Sequence, residues 1–433
     1  MKPSTYRIFT LLFCIALFYS CSKDDIQDDG EMTIIKGVLM SPNGETPIPN
    51  ATIFVPEDVS DYIDTNGSGM KTTNNDSGCQ TPQIPYIGYT CSKFDGRFEL
   101  QIPKTDAYSI MVIFQSGAFS FTQELLLTGE TSDFGVIPLE SNSANIAVVT
   151  GHYDRMQDIL GKLGFGTINT DEDDYWGYGQ LVLGTETFDL FDGDGSLDNS
   201  YPAINELFED NDGDGQIDLH NYDIVFINCG ASETPLTGRP SGIVPEHNDF
   251  HRHRMNNAPF SQELTDELQA FVEAGGVLYC TDWAYDYVEQ TFPSKIDFYG
   301  SDDTPADQPE DPNAAEFGEG GIEVQGEILE NSLGTWLTGV TCNESEECLD
   351  DEGGVHITSF LSSWAMMNGA HPNADIQTWI EGDIDGSGFP IPLTVSFNAG
   401  AGKVIYSSYH NVHNNPSPYW KPQERVLQYL VFE

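Results

Sequence analysis

Leu268-Gln269-Ala270-Phe271-Val272-Glu273-Ala274-Gly275-Gly276-Val277-Leu278-Tyr279-Cys280-Thr281 holds the end of a helix, a stop and a strand in one short run. Leu264, Leu268, Phe271 and Val272 recur at helical spacing. Ser261 stands just before them as an N-cap whose hydroxyl can accept a free first-turn amide. Gly275-Gly276 supplies the left-handed backbone on which helices end. Val277 to Thr281 is then apolar on both faces, as a strand buried between two layers must be. The same alternation extends outward. Asn145 to Thr150 (NIAVVT) is a continuous apolar strand, followed by Met156, Ile159, Leu160 and Leu163 at helical spacing. Tyr222 to Cys229 (YDIVFINC) is a second strand, Leu393 to Phe397 and Lys403 to Ser408 are late ones, and Val426, Leu427 and Leu430 mark a final helix. Strands alternating with helices predict a doubly wound α/β domain over residues 145–433.

The residues before it follow another period. Thr33 to Leu39, Thr52 to Val55, Arg97 to Ile102, Tyr108 to Phe114, Phe119 to Leu127 and Phe134 to Leu139 are rich in β-branched and aromatic side chains and bounded by Gly, Pro, Asn and Asp. With no helical pattern between them, residues 32–140 predict a small β-sandwich, joined to the rest by a linker at Ser141 to Ala144. Lys36-Gly37-Val38, Pro49-Asn50-Ala51-Thr52-Ile53-Phe54-Val55 and Asp95-Gly96-Arg97-Phe98-Glu99-Leu100 resemble the carboxypeptidase regulatory-like (transthyretin-like) module. That resemblance implies a spacer or binding platform, here with an insertion over Pro56 to Lys93.

Tyr222 to Gly230, Leu268 to Tyr279 and Gly402 to His410 resemble the class I glutamine amidotransferase-like, flavodoxin-like superfamily. Active members place a nucleophilic Cys, flanked by Gly, on the turn after the strand that corresponds to Val277 to Thr281. This chain reads Cys280-Thr281-Asp282-Trp283-Ala284-Tyr285 there, so Cys280 falls one position early and Thr281 or Asp282 takes the elbow. The resemblance therefore implies the architecture without a glutaminase mechanism. Ligands of such sheets bind at the carboxyl ends of the strands. His152 (after Gly151), Asn228, Cys229, Asp282, Trp283 and His410 are expected to converge there. Asp282 and His410 are either an acid–base pair or a hydrogen-bonded pair packing the sheet edge. His247, His251 and His253, among Glu246, Asp249, Arg252 and Arg254, are a polar surface loop, a lid, or, if the His-x-His pair lies on a strand, a transition-metal site.

Asp210-Asn211-Asp212-Gly213-Asp214-Gly215-Gln216-Ile217-Asp218 carries the chemistry of a calcium loop. Oxygen donors alternate, Gly stands where the backbone must turn sharply, and a hard cation wants six to eight oxygens. Asp210, Asp212 and Asp214 are the side-chain ligands, Gln216 lends its carbonyl, and Asp218 binds directly or through water. The twelfth position is Asn221 in place of the usual Glu, with Asp223 as a substitute ligand. Asp192, Asp194 and Asp198 repeat the later part of the pattern, with Asp189 near its missing first position. Both loops belong to one insertion at about residues 186–221, and Asp385 to Gly388 reads as a plain turn.

At the start of the chain, Lys2 and Arg7 precede the apolar run Ile8 to Leu17, too short to span a bilayer. Ser20-Cys21 closes the run and resembles a lipoprotein signal-peptidase site. Ser22-Lys23-Asp24-Asp25 resembles the tag that sends Bacteroidetes-type lipoproteins to the outer leaflet. Residues 1–20 are then a signal peptide, Cys21 carries the lipid, and residues 21–31 are a tether, which places the chain on the outer membrane facing outward. Such a compartment permits disulfides, and the spacings suggest Cys79–Cys91 and Cys342–Cys348. Cys229 and Cys280 either pair or stay as buried thiols. A net charge of −52 excludes nucleic acid as a partner and favours divalent cations. The expectation is a lipid-anchored, calcium-stabilised, non-catalytic protein that binds a glycan, a peptide or another envelope protein, or serves in adhesion. The alternative is a hydrolase built on Asp282 and His410.

Overall fold

Alternation of apolar and polar residues makes residues 32–140 β-structure. The computed structural model describes residues 31–59, 79–232, 259–300, 308–309, 311–342, 347–358, 360–361, 364–411 and 417–433. The signal segment, Cys21, the tether up to residue 30, the His247/His251/His253 cluster, Asn343, His413 and residues 301–307 lie outside the described residues. Strands β1 (Met32–Met40), β2 (Thr52–Pro56), β3 (Tyr86–Cys91), β4 (Arg97–Pro103), β5 (Ser109–Ser116), β6 (Phe119–Leu126) and β7 (Thr131–Pro138) form two small sheets, ordered β4-β1-β7 and β3-β2-β5-β6. Strand β4 buries every second residue, Phe98, Leu100 and Ile102, against the other sheet. The Phe98 and Phe114 rings meet edge to face at 5.9 Å across the gap. Strand β3 lies inside the stretch expected as an insertion. Its YIGYTC sequence has the alternation of an edge strand, and it pairs antiparallel with β2. Gly88 is needed there, since a Cβ would stand 2.5 Å from the Gln101 carbonyl oxygen.

The rest of the chain builds one large mixed sheet and a small two-stranded one. Its parts, in chain order, are β8 (Ile146–Val149), α1 (Met156–Leu160), β9 (Asp189–Phe191), β10 (Ile224–Ile227), α2 (Gln262–Glu273), β11 (Val277–Thr281) and α3 (Tyr285–Glu289). There follow β12 (Ile296–Phe298), β13 (Val324–Ile328), α4 (Asn331–Leu337), β14 (Val355–Ile357), β15 (Met367–Ala370), β16 (Ile376–Gly382), β17 (Ile391–Ala399), β18 (Gly402–Ser407) and α5 (Pro422–Phe432). The sheet order is β14-β13-β16-β17-β18-β11-β10-β8-β9. Strands β18, β11, β10, β8 and β9 are parallel. Beyond β18 every pairing is antiparallel. The expected run of parallel strands is thus only part of the sheet, and strand content (33%) outweighs helix (17%), so the fold is mixed α/β and β-rich. Helix α2 begins as its sequence suggests: the Ser261 hydroxyl accepts from the Leu264 amide at 3.2 Å. The helical spacing from Met156 to Leu163 is broken by its own glycines. Regular α-helix stops at Leu160, and Gly161–Phe165 continues as a wider turn through Gly164 at φ +98°.

The two parts share a core. Helix α5 is buried along its length, and its Phe432 ring packs 5.2 Å from Phe119 of β6, which in turn meets Phe165 at 5.6 Å. The Ser116 hydroxyl donates to the Phe432 carbonyl at 2.7 Å. Lys162 and Glu424 form an ion pair at 2.7 Å with side chains 2% and 0% exposed, and Lys162 also donates to the Tyr419 carbonyl. Arg425 lies over the Trp420 ring and donates to Thr46 of the sandwich and to the Thr341 carbonyl. Residues 32–433 accordingly form one compact unit. No helix among the described residues is long and apolar enough to cross a membrane.

Candidate functional site

The carboxyl ends of β8, β10, β11 and β18 bring several of the expected residues together. Asn228 follows β10, accepts from the Met156 amide at 3.1 Å and donates to Gln157 at 2.9 Å, so it anchors the start of α1. Gly151 follows β8, where any side chain would collide with the Cys229 carbonyl. The Cys229 amide donates to Thr281 Oγ1 at 3.0 Å, which locks β10 to β11. Asp282 takes the elbow after β11 with φ +43°, a left-handed conformation that short polar side chains tolerate. Tyr406 donates to its carbonyl at 3.0 Å and the Ala365 amide to its Oδ1 at 2.7 Å.

Asp282 Oδ2 faces two further groups. His410 Nε2 lies 3.0 Å away and the Cys229 thiol donates from 3.5 Å. All three residues are buried. Burial, reinforced by the nearby Asp282 charge, pushes the Cys229 thiol well above its ordinary value, and burial alone pushes Cys280 up. Both are free thiols, which settles the choice left open by the sequence. Behind this group stands Asp154, buried, which accepts from the Asn411 amide at 3.2 Å and the Arg155 amide at 2.7 Å. Nothing in the sequence around Asp154 marks it, apart from its place just after a strand.

The other two expected residues stay outside. His152 is exposed and its Nδ1 lies 3.9 Å from Asp194. Trp283 is half-buried, with its ring 5.4 Å from Tyr285 and 5.2 Å from Phe317. A concave surface lies away from this group. A depression of about 340 Å³ opens at the amino ends of β8 and β9, lined by Ala144, Asn145, Asp189, Asn221 and Tyr222 among others.

In the first acidic loop, Asp210, Asp212 and Asp218 bring carboxylate oxygens within 4.8 Å of one another. Gly213 (φ +79°) and Gly215 (φ +95°) supply the left-handed turns, and Asn211 clamps both oxygens of Asp218 at 3.1 and 3.0 Å. Asp214 stands apart and accepts from the Gln216 amide at 2.8 Å. Asn221 and Asp223 are engaged with Asn145 at the start of β8. The second loop is arranged differently from the first. Asp192, Asp194 and Asp198 do not gather into a group of that spacing among the described residues. Asp192 accepts from the amides of Gly195 and Ser196, Asp194 is held by Thr150 at the end of β8, and Asp198 turns to Ser200. Asp383 and Asp385 likewise accept from backbone amides in an exposed turn between β16 and β17.

One feature the sequence reading passed over is the Tyr175–Trp176 pair. Each residue is 83% exposed, and the two rings meet edge to face at 5.3 Å. They follow Asp171, Glu172, Asp173 and Asp174, all exposed. Asn169 and the Gly177 amide fix the Asp174 carboxylate at 2.7 and 3.1 Å, which holds the turn that presents the rings. Two large aromatics beside four acids in DEDDYW were the available signal.

The chain matches no known protein family and no curated protein. Among solved structures it is similar to a cytoplasmic protein from Salmonella typhimurium, at 11% identity and TM-score 0.33, over 75% of this chain and 94% of that one. A second cytoplasmic protein, from Salmonella typhimurium LT2, gives 12% identity and TM-score 0.29 over 74% and 91%. An exo-β-1,4-mannosidase from an Opitutaceae bacterium gives 14% and 0.24 over 62% of this chain and 31% of that one. Likeness of this degree carries no weight for function.

Proposed function

We propose that this chain is a non-catalytic binding protein of the bacterial surface, held by a lipid on Cys21 and stiffened by calcium in the 210–218 loop. Its ligand is a basic peptide segment, carried by another envelope protein or by secreted material, and it docks on the Tyr175–Trp176 ledge. The observation that carries this reading is the exposure of both rings beside Asp171 to Asp174. An exposed Trp has apolar area to bury, worth about 1.5–3 kcal/mol for a large side chain. Its face attracts a Lys or Arg cation, by about 0.5–2 kcal/mol. The neighbouring carboxylates and a net charge of −52 steer the same cation inward.

The test follows Trp fluorescence and calorimetry while Lys/Arg-rich peptides, and separately neutral oligosaccharides, are titrated into the full chain. Salt-sensitive binding of the peptide, weakened about tenfold in Trp176→Ala and Tyr175→Ala, is the expected result. Peptide binding unchanged in both variants sinks the reading, and salt-independent binding of the sugar alone replaces the peptide with a glycan. Cys21→Ser is expected to move the protein from the membrane to the soluble fraction.

A hydrolase is the second reading. The left-handed Asp282 at a strand-to-helix turn, 3.0 Å from His410, favours it. Turnover of ester or glycoside panels that disappears in Asp282→Asn, while thermal stability holds, would make it the first.

A further inference from the structure

Six cysteines follow Cys21, and four of them are paired: Cys79 with Cys91 and Cys342 with Cys348. Cys229 and Cys280 remain as thiols, both fully enclosed. Cys280 sits among apolar side chains inside β11, where a thiol serves as a small hydrophobe. Cys229 is different. Its sulfur, Asp282 Oδ2 and His410 Nε2 come from three neighbouring strand ends and converge within 4.8 Å of one another.

We propose that Cys229, Asp282 and His410 bind a zinc ion. Zinc bonds of about 2.0–2.3 Å at tetrahedral angles place neighbouring donor atoms about 3.3–3.6 Å apart. The sulfur-to-oxygen edge here is 3.5 Å, and the nitrogen-to-oxygen edge, now 3.0 Å, opens by a few tenths of an ångström. The mixed sulfur, nitrogen and oxygen set suits zinc, and a thiolate excludes calcium and magnesium, which take oxygen. The supporting contacts are those that orient metal ligands. The second oxygen of Asp282 is held by the Ala365 amide and the Cys229 amide by Thr281. Binding releases the thiol proton to solvent, and a water completes the four-coordinate ion. The ion pins the carboxyl ends of β10, β11 and β18 together, and it keeps Cys229 from oxidation.

The experiment uses the full chain, expressed with zinc in the medium, purified and exchanged into calcium so that the acidic loops hold no zinc. Elemental analysis is expected to give one zinc per chain. Zinc X-ray absorption is expected to show one sulfur at about 2.3 Å with lighter atoms near 2.0 Å. Cys229→Ser loses the sulfur signal and at least about a hundredfold in zinc affinity, more than a change beyond the ligand shell costs. Cys280→Ser and Asp212→Ala keep both. A folded wild-type chain without stoichiometric zinc overturns the proposal, as does bound zinc with no sulfur neighbour. Because these readings use the wild type, a Cys229→Ser chain that fails to fold leaves the proposal decidable.

Discussion

Asp286 shows what one buried carboxyl does to the stability of the protein. It sits on α3 without exposure, accepts from the Asn313 amide, and burial pushes its pKa from 3.8 up to about 7. An acid raised in this way favours the folded state while protonated. Its contribution is whole below the unfolded value near pH 4 and is lost as pH climbs toward 7, at about 1.4 kcal/mol per pH unit. Asp286→Asn keeps the acceptor for Asn313 and removes the proton. Urea melts should then lose that decline between pH 4 and 7, with the variant the more stable at pH 7.5. Unchanged slopes would mean that Asp286 ionises freely. The sequence reveals such residues unevenly. Asn228, Cys229, Asp282 and His410 were legible because each directly follows an apolar strand, and strand ends converge in a parallel sheet. Asp154, Asp286 and Ala365 were not, since a buried carboxylate or a donating amide is defined by neighbours remote in sequence.

The acidic loop 210–218 is the element that conditions should move most. Three carboxylates within 4.8 Å repel one another, so a calcium ion that binds the folded loop raises its stability with concentration. At a hundred times the dissociation constant the gain is about 2.7 kcal/mol. Thermal melts with and without millimolar calcium should differ in the parent chain and coincide in Asp212→Ala. The same alanine change at Asp194 should leave the calcium response intact, because that carboxylate serves Thr150 instead. The paired cysteines act on a neighbouring scale. Removing Cys79–Cys91, which closes a loop of sequence separation 12, should cost about 2–3 kcal/mol in a urea melt. At this level α2, its cap and the four central strands could be read from periodicity. Strands β13, β14 and β16 could not: VQGEI and VHI are short and half-exposed, and pairing with distant partners decides them.

For the whole molecule, the β-sandwich strands and the large mixed sheet pack on a common core, which helix α5 closes. Chemical unfolding should therefore be one transition seen alike by Trp fluorescence and by circular dichroism; two separated transitions would restore the two-domain picture. Lys162→Met leaves Glu424 buried without its cation and should cost about 3–5 kcal/mol across that single transition. The contact between Ser116 and Phe432 spans 316 residues. A chain that emerges from its first residue onward must hold Phe119 and its neighbours uncovered for nearly the whole of synthesis or export. Closing so long a loop is slow. In the cell, then, this protein should depend on a holding chaperone until its last helix arrives, and a nascent chain stalled before residue 422 should be degraded, with no N-terminal fragment accumulating.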